Sequence, residues 1–204
     1  GLGGGRPSTS SAAAKEKEQP AGGDGAPPMT SRFRVARTQH ISKSEWLLVR
    51  RGYARATEGA QAGRLQPIEI RALLDSGAEG DFMSPSLARR LGARLEEGRY
   101  GFAVGVFGEE RPITQEARGV YLQLPGVQPR SGLAQDFATQ HNILVAPTEL
   151  SAQYNVLLGA PFLRRHSGVL RFGARGGVEL TAQDGRTTAL TEGAPDSTRS
   201  DSAE

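Results

Sequence analysis

Apolar and polar residues alternate along much of the chain, which is the pattern of half-buried β-strands. The alternation is regular in "GRLQPIEIRALLD", where one face would hold Ile68, Ile70, Ala72 and Leu74. Further segments that favour strands are "EWLLVRRGYARA", "YGFAVGVFG", "RPITQEARGVYLQLPG", "HNILVAP", "YNVLLG", "GVLRFG" and "GVELTAQDG". Many short strands at close spacing predict an all-β fold, closed into a barrel or packed as a sandwich.

Two short helices are predicted between the strands. In "SPSLARRLG", Ser84 suits the N-cap and Gly92 suits the C-terminal stop. Leu87 and Leu91 lie four residues apart and would face the core. The segment "APFLRRHSG" has the same form and is expected to end at Gly168.

The two ends of the chain carry very few large apolar side chains. The first 30 residues contain seven glycines and four prolines, and the last 14 lack Val, Ile, Leu and aromatic residues. Such segments cannot bury enough apolar surface to offset the entropy lost on ordering. We therefore predict one domain at 32–190, between a disordered low-complexity linker at 1–31 and a disordered tail at 191–204.

Composition narrows the possible chemistry. The 204 residues include no cysteine and three histidines, so we expect neither disulfides nor a metal site, and no cofactor. The absence of cysteine fits a reducing compartment, and a cytoplasmic location is expected. No apolar run approaches the ~18 residues of a membrane span, so no membrane partner is expected.

The charge is nearly balanced, with 25 basic and 22 acidic residues. One segment, 32–55, carries seven basic residues and one acidic residue, interleaved with aromatic side chains. It could contact nucleic acid, but a half-buried ribbon with a solvated basic face is the favoured interpretation.

Asp75 directly follows an apolar strand and precedes Ser76 and Gly77. A carboxylate at the end of a core strand indicates either a turn or chemistry. An isolated Asp-Ser-Gly is more often a turn, because aspartate hydrogen-bonds to its own backbone two residues on. Other catalytic signatures, such as G-x-S-x-G or H-E-x-x-H, do not occur in the sequence.

The wider context resembles the retropepsin-like aspartic proteases, notably those encoded by gypsy-type LTR retrotransposons. The resemblance spans roughly 65–172 and has two main elements. "YNVLLGAPFLRRHSGVLRF" is similar to the second element, with Gly159 as its key glycine. "LLDSGAEGDFMSPSLARRLG" is similar to the active-site segment, and the residues in register are Asp75, Ser76, Gly77, Ala78, Phe82, Met83, Ser84, Leu91 and Gly92.

The resemblance implies a retropepsin-like closed β-barrel that functions as a two-fold homodimer. It implies that Asp75 is catalytic, that Ser76, Gly77 and Ala78 form the supporting active-site loop, and that Gly159 packs beneath the site. The segment "FAVGVFGEERPIT" is similar to the flap hairpin, with the possible flap residues Val106, Phe107 and Gly108.

The implied activity is that of an aspartic endopeptidase that cleaves polypeptides, and the implied substrate is its parent retroelement polyprotein. This cleavage could take place within virus-like particles. Peptide hydrolysis without a metal or nucleophile needs two carboxylates that share one proton. The chain has a single Asp-Ser/Thr-Gly, so the second carboxylate would come from the partner subunit. The sequence departs from the family pattern at Glu79 and Asp81, which make the loop after Asp75 acidic.

Three alternatives remain open at the level of sequence. The domain could be a catalytically silent copy that serves as a dimerisation module. The functional surface could instead be the basic segment at 32–55, in a nucleic-acid-binding piece of a capsid-type polyprotein. The ubiquitin-receptor type of retropepsin is a minor alternative, and no ubiquitin-like region is visible in the sequence.

Overall fold

A computed structural model describes residues 32–34, 48–59, 62, 66–104, 109–127, 135–171 and 177–190. Within these ranges the chain forms eleven strands and two short helices. In chain order they are β1 (Arg32–Arg34), β2 (Val49–Ala56), β3 (Ile68–Leu74), β4 (Phe82–Met83), α1 (Pro85–Leu91), β5 (Arg94–Val104), β6 (Glu110–Leu124), β7 (Phe137–Val145), β8 (Val156–Leu158), α2 (Ala160–Arg165), β9 (Val169–Arg171), β10 (Gly177–Thr181) and β11 (Thr187–Ala189).

The main sheet closes on itself. Its strands run in the order β1-β5-β6-β2-β3-β8-β4-β7, and β7 also pairs with β6. Among the described strands, β6, β2, β3, β8, β4 and β7 therefore form a closed ring of six, which leaves no free edge within the ring. The predicted fold class, an all-β closed barrel with one or two short helices, is confirmed.

β8, β4 and the last three residues of β3, which lie beside Asp75, are buried on both faces. β8 pairs in parallel with β3 and antiparallel with β4, and all three of its residues are buried. β3 keeps the predicted alternation at Glu69 and Arg71, which are exposed, but Leu73 is buried together with its neighbours. A continuous apolar run is what a strand covered on both sides requires.

Helix α1 forms as predicted. The Ser84 hydroxyl accepts the N–H of Leu87 at 3.4 Å, and Gly92 adopts the left-handed conformation that ends the helix. Leu87 and Leu91 are buried, as the four-residue spacing indicates.

Helix α2 ends earlier than the sequence predicts. Its last helical residue is Arg165, whereas Gly168 was expected to stop it. The left-handed position is taken by Ser167, with φ 46°, and the N–H of Gly168 then bonds to the carbonyl of Leu163 at 2.7 Å. The glycine thus closes the turn after the helix, and the helix itself ends two residues earlier than a stop at Gly168 predicts.

Two strands also differ from expectation. β5 begins at Arg94, well before the predicted start at Tyr100, because the polar residues "RLEEGR" pair with β6 across the hairpin. β1 was not predicted as a strand, and it pairs in parallel with β5. Phe33 of β1 packs edge-on against Phe82 of β4, with ring centroids 6.2 Å apart, which ties this strand to the core.

The predicted ribbon with a solvated basic face is wrong in part. Arg50 of β2 is fully buried, and its Nη1 donates to the carbonyl of Val49 at 3.0 Å. Arg55 is exposed and stacks over the ring of Tyr121 at 4.6 Å. Alternate residues of a strand in a closed barrel face inward, and Arg50 belongs to the inward-facing set of β2.

Segments 1–31, 35–47 and 191–204 lie outside the described residues, so the domain boundaries stay a prediction. Within the described part of the chain, no helix is long and apolar enough to cross a membrane.

Candidate active site

Asp75 lies at the end of β3, where the chain leaves the barrel. Its N–H donates to the carbonyl of Leu158 at 3.0 Å, which continues the parallel pairing of β3 with β8 by one residue. The side chain is half-buried, and its Oδ1 accepts the N–H of Gly77 at 2.7 Å. The backbone of the turn therefore fixes the orientation of a carboxylate that water can still reach.

The three residues after Asp75 have different surroundings. Ser76 and Gly77 are exposed, whereas Ala78 is fully buried and its N–H donates to the carbonyl of Asp75 at 3.1 Å. The exposed side of the loop borders a groove of about 440 Å³, whose lining residues are Ser76, Ala160, Leu163, Arg164, Ser167, Gly168 and Leu170.

Gly159 joins β8 to α2 and lies against the Asp75 loop, which is the segment 75–81 between β3 and β4. A Cβ at this position would be 2.4 Å from the carbonyl oxygen of Gly80 and 2.7 Å from that of Ala78. The next residue, Ala160, donates its N–H to the carbonyl of Ala78 at 2.8 Å. Only glycine allows so close an approach of two backbones, and the two segments singled out in the sequence are thereby brought together.

Asp81 has a place that the sequence does not suggest. It was expected to be an acidic neighbour of Asp75, but its carboxylate is buried and bonded on both oxygens. Oδ1 accepts the N–H of Gly159 at 2.8 Å, and Oδ2 lies 2.8 Å from Nε2 of His141. A buried carboxylate with these partners is satisfied where it stands and does not reach toward the exposed Ser76 and Gly77.

The burial of His141 could have been predicted from the alternation of residues along β7. It alternates with Ile143 and Val145 along β7, and all three are buried. Its Nδ1 is hydrogen-bonded to Nη1 of Arg165 at the end of α2. An arginine offers only donors, so Nδ1 is the acceptor and Nε2 carries the proton that is donated to Asp81.

His166 is the second buried histidine of this region, and it packs against aromatic rings. Its ring lies 5.0 Å from that of Phe137 and 4.6 Å from that of Phe162. Neither ring nitrogen makes a hydrogen bond of normal geometry, although the backbone of Thr181 is close. Burial lowers the pKa of the His166 imidazole below its usual value.

The possible flap residues Val106, Phe107 and Gly108 lie outside the described residues. The strands that lead to them are described, and β5 pairs with β6 up to Val104 and Glu110. Within the described ranges, no three His, Asp or Glu side chains are grouped so that they could hold a metal ion.

The fold has likenesses among solved structures. The chain is similar to the crystal structure of the retroviral protease-like domain of Ddi1 from Leishmania major, with 16% identity and a TM-score of 0.37. The match covers 72% of this chain and 98% of that domain. No protein-family model and no curated protein matches the sequence.

Proposed function

We propose that the protein is an aspartic endopeptidase whose catalytic carboxylate is Asp75. The observation that carries the proposal is the placement of this side chain. It stands at the end of a core strand, half-buried and oriented by the N–H of Gly77, in a loop that is bonded to the β8–α2 junction. The resemblance of both segments to retropepsin motifs supports the same conclusion.

The chemistry requires a second carboxylate. One carboxylate takes a proton from a water molecule while the other, protonated, donates to the carbonyl oxygen of the scissile peptide bond. Two carboxylates about 3 Å apart share one proton, because both cannot be charged at that distance. The chain supplies one Asp-Ser-Gly, so a two-fold dimer would supply the pair.

The exposed side of the loop is the surface on which the two subunits would meet. If two Asp75 side chains approach across a two-fold axis, each Ser76 lies at the same axis, and its hydroxyl can brace the centre. Leu163 and Leu170 are among the residues that line the groove beside Ser76, and they would be covered on dimerisation. The natural substrate we propose is the polyprotein of a retroelement, on the basis of the sequence resemblance.

The decisive experiment compares the full chain with Asp75→Asn. Asparagine is nearly isosteric with aspartate but cannot take up the proton from water, so we expect peptide cleavage to fall by at least about 100-fold. The measurement is hydrolysis of a denatured protein at acid pH, with products identified by mass spectrometry.

A matched control is available in the β10–β11 turn. Asp184 also accepts the N–H of the residue two positions on, Arg186, at 3.0 Å, but it lies far along the chain from the loop. Asp184→Asn should keep wild-type activity. Cleavage by Asp75→Asn at more than a few per cent of the wild-type rate would remove Asp75 from the catalytic role. A folded wild type that cleaves nothing would favour the silent dimerisation module.

A further inference from the structure

A chain of buried polar groups leads from the surface to the Asp75 loop. It begins at Arg165 on α2, passes through the imidazole of His141 on β7, and ends at the carboxylate of Asp81. The side chains of His141 and Asp81 are exposed by only 4% and 8%. Burying polar groups of this kind costs free energy unless each one has its hydrogen-bond partner. Few other arrangements of these side chains would therefore be stable.

The direction of each hydrogen bond is fixed by its neighbour. Arg165 can only donate, which makes Nδ1 of His141 an acceptor and leaves the proton on Nε2. Nε2 then donates to Oδ2 of Asp81, and Oδ1 remains to accept the N–H of Gly159. The carboxylate thus receives two donors that come from different elements of the fold.

Gly159 is also in direct contact with the loop that carries Asp75. The junction of β8 and α2 meets this loop at three bonds, from Asp75 to Leu158, from Ala160 to Ala78, and from Gly159 to Asp81. Two of these bonds join backbone to backbone. The third depends on a side chain, and it is the one that the buried polar chain holds in place.

We infer that Asp81 and His141 are positioning residues, which fix the β8–α2 junction against the Asp75 loop and so fix the direction of the Asp75 carboxylate. The inference rests on the proposed function where it concerns catalysis. The part that concerns the position of the Asp75 loop does not depend on the proposed function. A displacement of about 1 Å at a reacting group can lower a rate by about 100-fold, so a loosened junction would reduce turnover.

Three substitutions separate donor pattern from volume. Asp81→Asn replaces one of the two acceptor oxygens by an amide NH2, which faces a donor in either orientation of the amide, Nε2–H of His141 or the N–H of Gly159. His141→Leu removes both hydrogen bonds, whereas His141→Gln offers an N–H to Asp81 and a carbonyl to Arg165. We therefore expect Asp81→Asn and His141→Leu to act alike, and His141→Gln to resemble the wild type.

The first measurement does not need activity. The amide of Gly77 bonds to Asp75 and reports the direction of its carboxylate, so the full chain is labelled with ¹⁵N and the Gly77 and Gly159 amide signals are compared. Both signals should move in Asp81→Asn and His141→Leu and stay in His141→Gln. If Asp81→Asn fails to fold, Arg165→Ala, an exposed substitution, should move the same signals by smaller amounts. An unmoved Gly77 signal in every folded variant would overturn the inference.

The second measurement is kinetic, with rates divided by the amount of folded protein. We expect kcat of Asp81→Asn and His141→Leu to fall at least about tenfold with KM within about threefold, and His141→Gln to keep most of its kcat. An unchanged kcat in Asp81→Asn would refute the positioning role. A wild type without activity would instead refute the proposed endopeptidase, and the amide signals would still decide whether Asp81 positions the loop.

Discussion

The imidazole of His166 is a buried titratable group in surroundings poorly suited to a charge. It lies between the rings of Phe137 and Phe162, and burial lowers its pKa. The unfolded chain has the ordinary value of about 6.5, so below that pH it binds more protons than the folded protein. His166 therefore contributes stability that is present above about pH 6.5 and is lost as pH falls toward its folded value.

This property bears on the proposed function, because a carboxylate pair that shares one proton works at acid pH. We expect the free energy of unfolding to decrease more between about pH 7.5 and 5 for the wild type than for His166→Leu, which has a similar volume and no proton to gain. Urea denaturation at both pH values measures the difference.

A packing variant without a titratable group serves as the control. Leu163→Ala removes buried apolar atoms from α2 and should lower stability by the same amount at both pH values. If the gap between wild type and His166→Leu does not change with pH, His166 is not the source of the acid sensitivity.

Among the elements, the junction between β8 and α2 has the closest backbone packing of the site. A methyl group at Gly159 would meet two carbonyl oxygens of the Asp75 loop, at 2.4 and 2.7 Å. Backbone atoms cannot turn aside as a flexible side chain can. We expect Gly159→Ala to lower the free energy of unfolding by at least about 2 kcal/mol, measured by denaturant unfolding.

Gly177 in β10 offers a matched glycine, since a Cβ there meets nothing within 4 Å. Gly177→Ala should change the free energy of unfolding by less than about 0.5 kcal/mol. Equal effects at the two positions would mean that the loop can move away from the junction, contrary to the rigid contact described above.

Much of the secondary structure could be predicted from the sequence. The strand pattern and the caps of α1 depend on neighbours in the chain, and Ser84 and Gly92 serve as predicted. β1 was missed because its pairing with β5 is non-local, and the first half of β5 was missed because its residues are mostly polar. The left-handed Ser167 was missed because glycine, which follows it, usually takes that conformation.

The site could be predicted only in part, for a related physical reason. A linear motif singles out Asp75 and Gly159, because each needs a particular residue type in a particular local context. The pairing of Asp81 with His141 joins positions sixty residues apart, and it depends on which faces of two strands meet inside the barrel. A carboxylate next to Phe82 and Met83, both fully buried, was the local signal that this side chain is itself buried.

At the scale of the whole molecule, the proposed mechanism predicts that activity depends on assembly. If each subunit supplies one Asp75, specific activity should fall on dilution, because it follows the fraction of dimer. Enzyme is diluted over several decades under a saturating peptide substrate, and initial rates are divided by total enzyme. Sedimentation velocity over the same concentrations shows whether dimer and activity disappear together.

Mixing tests the same requirement at fixed concentration. A heterodimer of wild type and Asp75→Asn holds one carboxylate and one amide, and it cannot share a proton as the mechanism requires. With a ninefold excess of Asp75→Asn and free exchange of subunits, only about one tenth of wild-type subunits would pair with each other, so activity should fall to about one tenth. An equal mass of inert carrier protein should leave the rate unchanged. A constant specific activity at the lowest concentration, together with an unpoisoned mixture, would mean that one chain forms a complete site, and the paired-carboxylate mechanism would then be wrong.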